Sequence, residues 1–375
     1  MDSFMRLVNA SVSLISMALL SACGGGGSSG VRLSSSPIAV QDTSYLNFKN
    51  TGMAPQSVPG SVSGNGTTTR AYADFSRTGN FDLITATITY NPAQPIANAT
   101  PSSLKYWKVT SNGTFIEDTT KLNASAGCLH PRKALVADFN SDGIADVFLT
   151  CHGYDAGNFP GEKNKILLSQ ANGTFSLSDA SADVGFWHGA TALDVNADGA
   201  IDVVAVTGGH KLATFINDGR GRFSLEAEGR FPTMASGGYY SIEAVDINGD
   251  GKKDILLGGH EMDGATTFAL INPGNFYFGS VAPLTLPALA GQGVVLDFVV
   301  TGAGPNALIW VLRTGDRNRF YMGKTIQKIS YSDRTSSIAL QDLNGNWTPW
   351  IIPTVISGIK YIATDVSDAN FKISY

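Results

Sequence analysis

The chain has 375 residues, 43% hydrophobic and only 15% charged, enough apolar material for a large core and too much for a disordered chain. Its 26 basic and 31 acidic side chains leave a net charge of -5 with no basic stripe, which argues against nucleic acid as a partner. Forty-two glycines and little helical periodicity predict an all-β chain of short strands and turns.

At the start, Arg6 precedes the apolar run Leu7–Leu20, too short and too interrupted for a membrane span, so residues 1–22 read as a signal peptide. The run ends in Leu20-Ser21-Ala22-Cys23, which resembles a bacterial lipobox. That resemblance implies that Cys23 is diacylated and becomes the mature N-terminus of an exported lipoprotein, membrane-bound through its lipid alone. Gly24, in place of an aspartate, implies the outer membrane as its address. The alternative is an ordinary secretory signal that leaves Cys23 a free thiol. Residues 23–69, opening with a Gly/Ser run and rich in Pro and Thr, read as a flexible tether in which Tyr45–Phe48 is a candidate extra strand. The folded part is expected over 70–375.

Within it, Asp138-Phe-Asn-Ser-Asp-Gly-Ile-Ala-Asp146 recurs as Asp194-Val-Asn-Ala-Asp-Gly-Ala-Ile-Asp202 and as Asp246-Ile-Asn-Gly-Asp-Gly-Lys-Lys-Asp254. Side-chain oxygens at positions 1, 3, 5 and 9 come from Asp138, Asn140, Asp142 and Asp146, then Asp194, Asn196, Asp198 and Asp202, then Asp246, Asn248, Asp250 and Asp254. The position-7 carbonyls of Ile144, Ala200 and Lys252 add one oxygen each. A hard cation takes six to eight oxygens, so the pattern predicts three Ca2+ sites. An EF-hand is excluded, because position 12 holds Leu149, Ala205 and Leu257 where that loop needs glutamate, and the flanks are β-type. The competing reading is an Asp/Asn/Gly turn that binds nothing.

The loop followed by an apolar strand resembles the FG-GAP/VCBS repeats, and the resemblance extends over about residues 70–375. It implies a β-propeller like the integrin alpha head, in a family that includes adhesins, lectins, scaffolds and occasional lyases. Aligning on Asp74, Asp138, Asp194, Asp246, Asp297 and Asp342 gives spacings of 64, 56, 52, 51 and 45 residues, one four-stranded blade each. Six blades are expected; a seventh would need residues 38–69. Gly113-Thr-Phe115, Gly173-Thr-Phe175 and Gly221-Arg-Phe223 mark outer strands. Calcium is expected only in blades two to four, because the loops at Asp74, Asp297 and Asp342 have lost ligands.

Cys128 lies just before the first strand of blade two and Cys151 ends its second. In an antiparallel pair these points share one end, which predicts a disulfide. A metal site with the adjacent His130 and His152 is the competing reading. It is weakened because neighbouring strand residues such as Cys151 and His152 point to opposite faces.

His130 and His188 precede a first strand. His152, His210 and His260 follow a second, 6, 8 and 6 residues after the ninth loop position. Both kinds of position belong at the blade end opposite the acidic loops, so calcium is expected on one face of the disc and imidazoles on the other. Neighbours there include Arg132, Tyr154, Tyr239, Glu261 and Asp263. His130, His152, Asp155, Trp187, His188, His210, Tyr240 and His260 are the candidate contacts for a glycan or envelope-protein ligand. The first functional reading is a non-catalytic surface propeller. The alternative is a polysaccharide lyase, with His188, His210 and Tyr240 as candidate base and acid and Arg132 or Lys211 neutralising a uronate. An envelope assembly scaffold is a third. The bland reading is that the histidines simply bond loop carbonyls. The long loop Cys151–Asn164 brings Asp155, Glu162 and Asn164 as a polar wall, a further cation site, or a solvated insertion.

Overall fold

In the computed structural model the chain runs as successive antiparallel hairpins gathered into six sheets. Residues 68–375 are described, except 79–80, 112–113, 123–126, 208–210, 228, 235–237, 357–358 and 365–370. The expected signal, Cys23 and most of the tether, and His210, lie outside the described residues.

Blade 1 is β1 (Thr68–Ala73), β2 (Asp82–Thr87), β3 (Ser103–Val109) and β4 (Phe115–Glu117). Blade 2 is β5 (Pro131–Ala137), β6 (Asp146–Cys151), β7 (Glu162–Ser169) and β8 (Phe175–Gly185). Blade 3 is β9 (Ala190–Leu193), β10 (Asp202–Val206), β11 (Leu212–Asn217) and β12 (Phe223–Leu225). Blade 4 is β13 (Tyr239–Val245), β14 (Asp254–Gly259), β15 (Phe268–Leu270) and β16 (Leu284–Thr285). Blade 5 is β17 (Val294–Thr301), β18 (Leu308–Thr314), β19 (Met322–Ser330) and β20 (Ser336–Asn346). Blade 6 has three strands among the described residues, β21 (Ile351–Ile356), β22 (Ile359–Thr364) and β23 (Lys372–Ser374). Among the described residues no helix is long and apolar enough to cross a membrane.

The second strands are continuous apolar runs because both of their faces are covered by neighbouring blades. All six residues of β6 and of β14 are buried. Between each pair of adjacent blades lies a core of its own. Val136 and Leu149 meet Ile84 and Tyr106 between blades 1 and 2, and Phe148 meets Phe215 between blades 2 and 3. At the seam, Tyr72 and Trp107 of blade 1 pack with Ile352 and Ala363 of blade 6, so the six-bladed ring closes on itself.

Each acidic loop turns through left-handed residues at its fourth and sixth positions. Ser141 and Gly143 have φ of 60° and 80°, and Ala197 and Gly199 have 60° and 89°. Its ninth residue opens the second strand and is buried there. Asp146 accepts bonds from the Phe139 amide at 2.9 Å with one carboxylate oxygen and from the Ser169 amide at 2.8 Å with the other. Asp202 and Asp254 repeat this clasp with Val195 and Asn217, and with Ile247 and Asn272. Both oxygens of the ninth carboxylate thus tie the loop to the end of the third strand.

Two of the six blade anchors read from spacing are corrected. Asp297 is not in a loop but inside β17, where its carboxylate accepts the Ile351 amide of blade 6 at 2.9 Å. Asp342 belongs to β20, the outer strand of blade 5. In blade 5 the first hairpin turns through Gly304–Asn306 instead, with no acidic residue to mark it.

The disulfide joins Cys128 to Cys151, with Cα atoms 5.7 Å apart. It spans 23 residues, so reduction is expected to destabilise the fold by about 3 kcal/mol. Urea unfolding with and without reductant checks this, and coincident curves would contradict it.

Candidate functional site

Strand register sets the two faces of the disc. In blade 2, Pro131 opposes Cys151 at one end of the β5–β6 hairpin and Ala137 opposes Asp146 at the other. Blade 4 repeats this, with Tyr239 opposite Gly259 and Val245 opposite Asp254. His130, His152 and His260 therefore stand at the end remote from the acidic loops.

Four of the five histidines are described, and they converge. The His130 and His152 rings are 4.5 Å apart between centroids, and His152 and His188 are 5.3 Å apart. Tyr240 lies 4.5 Å from His188 and 4.4 Å from His260. The series extends through Tyr90 at 5.8 Å from His130 and through Tyr321 at 6.0 Å from His260, then to Trp347 at 4.9 Å from Tyr321. A continuous arc of rings thus crosses the face from blade 1 to the start of blade 6. Phe159 and Phe320, 51% and 48% exposed, stand at its rim.

Arg132, on β5, lies inside the arc. Its Nη2 donates to His188 Nε2 at 2.7 Å and its Nη1 to His130 Nε2 at 3.3 Å. Accepting from a guanidinium requires neutral imidazoles, and the other ring nitrogens agree. His188 Nδ1 donates to the Tyr240 carbonyl at 3.2 Å, and His130 Nδ1 lies 2.7 Å from the Tyr90 hydroxyl. Burial, reinforced by Arg132, holds His188 well below the usual imidazole range and brings His152 down to about 3. Burial also pushes the Tyr90 hydroxyl up to about 12. The site is therefore one fixed cation among neutral imidazoles, hydroxyls and ring faces, with the Asp155 and Asp263 carboxylates beside His152 and His260. The innermost strands line a cavity of about 110 Å³ that runs from Arg132, His188, Tyr240 and Trp347 to Lys133, which pairs with Glu243.

Stability follows from those imidazoles. Above pH 6.5 they are neutral whether folded or unfolded. Below it the unfolded chain takes up protons that the folded one refuses. The imidazole contribution to stability is thus expected to fall as pH drops from about 6.5 to about 3, the folded-state value of His152. It is expected to outweigh the opposite contribution of Asp146 and Asp202, whose carboxyls burial raises to about 7. Denaturant midpoints at pH 7, 5 and 4 check this; a flat profile would contradict it.

Other predicted residues separate into those on the face and those off it. Asp155 is exposed above His152, with its Oδ1 at 3.7 Å from the imidazole Nε2. Trp187 is not on the face. It is a core residue packed on Phe215 at 5.0 Å, because residues 187 and 188 point to opposite sides of the chain entering β9. Tyr239 is buried beside Phe268, and Glu261 turns inward to Arg313 at 2.9 Å. Glu162 accepts the Leu129 amide at 2.8 Å, and the Asn164 side chain accepts the Cys151 amide at 2.9 Å, so both brace the long loop. Lys211 is exposed on blade 3. The sequence reading missed Tyr90, Tyr321 and Trp347. Their signal was positional, because they follow a second strand or precede a first one as the histidines do.

On the opposite face the acidic loops are curled as a cation would need. Asp138 accepts the Asp142 and Gly143 amides at 3.0 and 2.7 Å, and Asp142 accepts the Ile144 amide at 2.8 Å. Asp194 and Asp246 do the same for Gly199 and Gly251, at 3.0 and 2.8 Å. Position 5 is exposed in all three loops and position 1 half-buried, and with position 3 they offer oxygens of the kind a hard cation takes. The ninth carboxylate lies behind them in the clasp, with lone pairs to share.

Residues 138–205 and 194–257 match the model of the FG-GAP-like repeat family. No curated protein sequence matches the chain. Among solved structures, the α-L-arabinanase of Penicillium chrysogenum complexed with arabinobiose superposes with a TM-score of 0.50 at 12% identity, over 86% of this chain and 95% of that one. A putative 6-phosphogluconolactonase from Bacteroides uniformis gives 0.47 at 10% identity, over 81% and 84%. The six-bladed lectin of Aleuria aurantia gives 0.45 at 11%, over 76% and 80%. At such identities the likeness is one of fold.

Proposed function

We propose that this FG-GAP-repeat propeller is a surface-anchored binding protein that holds an acidic glycan on its Arg132 face, with calcium stiffening the loops behind. The observation that carries the reading is the arc of imidazole and tyrosine rings around one guanidinium. Flat rings offer platforms for the apolar faces of sugars, ring nitrogens and hydroxyls offer hydrogen bonds, and Arg132 offers a bidentate partner for a carboxylate. Calcium rests on the preformed curl of three loops, and the anchor on the lipobox resemblance at Cys23.

Binding without turnover is favoured over β-elimination. A general base works best with a pKa near the operating pH, whereas burial and Arg132 hold His188 far below it. A panel of immobilised neutral and acidic glycans tests the reading. Acidic members are expected to be retained, with at least tenfold weaker retention by Tyr240→Ala. No retention, or a variant equal to wild type, overturns it. Absorbance from unsaturated uronides would transfer the site to the lyase reading.

A further inference from the structure

We propose that His130, His152 and Asp155 form a transition-metal site, with zinc the ion their donors suit best. One ligand atom from each lies within 4.8 Å of those from the other two. The His152 Nε2 to Asp155 Oδ1 separation is 3.7 Å, too long for a hydrogen bond. It is close to the ~3.4 Å between ligands that a tetrahedral ion with ~2.0–2.1 Å bonds requires.

The second observation is how the rings are held. His152 Nδ1 donates to the Gly153 carbonyl at 3.3 Å, and His130 Nδ1 is engaged by the Tyr90 hydroxyl at 2.7 Å. Both histidines are therefore fixed from behind by an outer partner, as metal-bound imidazoles are; His152 presents Nε2 to Asp155, and the long 3.3 Å contact of His130 Nε2 with Arg132 Nη1 is the one the ion replaces. His152 is only 1% exposed, and its Nε2 faces the carboxylate of the exposed Asp155.

The chain is shaped to bring Asp155 there. Gly153 has φ of 81°, and a Cβ on it would meet the Gly161 backbone at 2.5 Å. Glycine at both places lets the long loop double back and carry Asp155 over His152. Two imidazoles and one carboxylate suit zinc and its first-row neighbours, not calcium, so this site differs in kind from the acidic loops on the other face. An ion here beside Arg132 leaves net positive charge after Asp155 is counted. The open fourth position would take an anion, and the carboxylate of an acidic glycan fits it. That last clause rests on the proposed function; the metal site does not.

The test uses tag-free protein stripped with chelator and returned to saturating calcium, which fills the acidic loops, then titrated calorimetrically with zinc. One zinc per chain is expected at micromolar affinity or better, with at least tenfold weaker binding in Asp155→Asn and His152→Gln. Because His152 is buried and its variant can misfold, Asp155→Asn on the exposed loop decides alone. Asp263→Asn, beside His260, is expected to bind zinc as wild type does. Absence of zinc binding, or undiminished binding by Asp155→Asn, overturns the site. Glycan retention is scored separately, so failure of one leaves the other standing.

Discussion

Glu261→Gln is expected to destabilise the protein by about 3–5 kcal/mol, a loss typical of breaking one side of a buried ion pair. Its partner Arg313 is fully buried, with Nη1 and Nη2 at 2.9 and 3.0 Å from the two Glu261 oxygens. Removing the charge strands the guanidinium with neutral acceptors alone, Gln327 Oε1 at 2.7 Å and the carbonyls of Gln292 and Pro287. The effect reaches the binding face, because Glu261 opens the turn that follows His260 and its amide donates to the Gly293 carbonyl at 2.7 Å. Denaturant midpoints and glycan retention should fall together. A change below about 1 kcal/mol would mean that the neutral acceptors suffice.

Asp202→Ala is expected to cost about 2–6 kcal/mol, because the buried amides of Val195 and Asn217 lose their acceptor, each worth roughly 1–3 kcal/mol unpaired. Asp198→Ala, at the exposed tip of the same loop, is expected to cost less than about 1 kcal/mol without calcium. It should instead lose part of the stabilisation that calcium confers on wild type. Unfolding curves of both variants in calcium and in chelator separate clasp from ligand. Equal losses in chelator would contradict the division.

That division marks where sequence stopped being informative. Blades 2 to 4 were legible because each carries a loop whose glycine and carboxylates have few other uses, and hairpin geometry then placed the histidines opposite them. The inward role of Asp146, Asp202 and Asp254 was not legible, since a ligand and an amide acceptor demand the same side chain. Blades 5 and 6 misled because Asp297 and Asp342 kept the expected spacing while sitting within strands. Trp187 and His188 are adjacent, and only the register of β9 decides which faces the ligand and which the core. Arg132 stood out as a neighbour, but its central place depends on its reaching His188 across 56 residues of sequence. Tyr90, Tyr321 and Trp347 occupy the histidine positions with other rings, a substitution that counting imidazoles overlooks.

The most direct measurement follows the imidazole ¹⁵N resonances while an oligogalacturonate is added to wild type and to Arg132→Met. Binding at the Arg132 face predicts shifts at His188 and His260, with at least tenfold weaker affinity in the variant. Shifts absent from those two rings, or equal affinity without the guanidinium, would contradict the account.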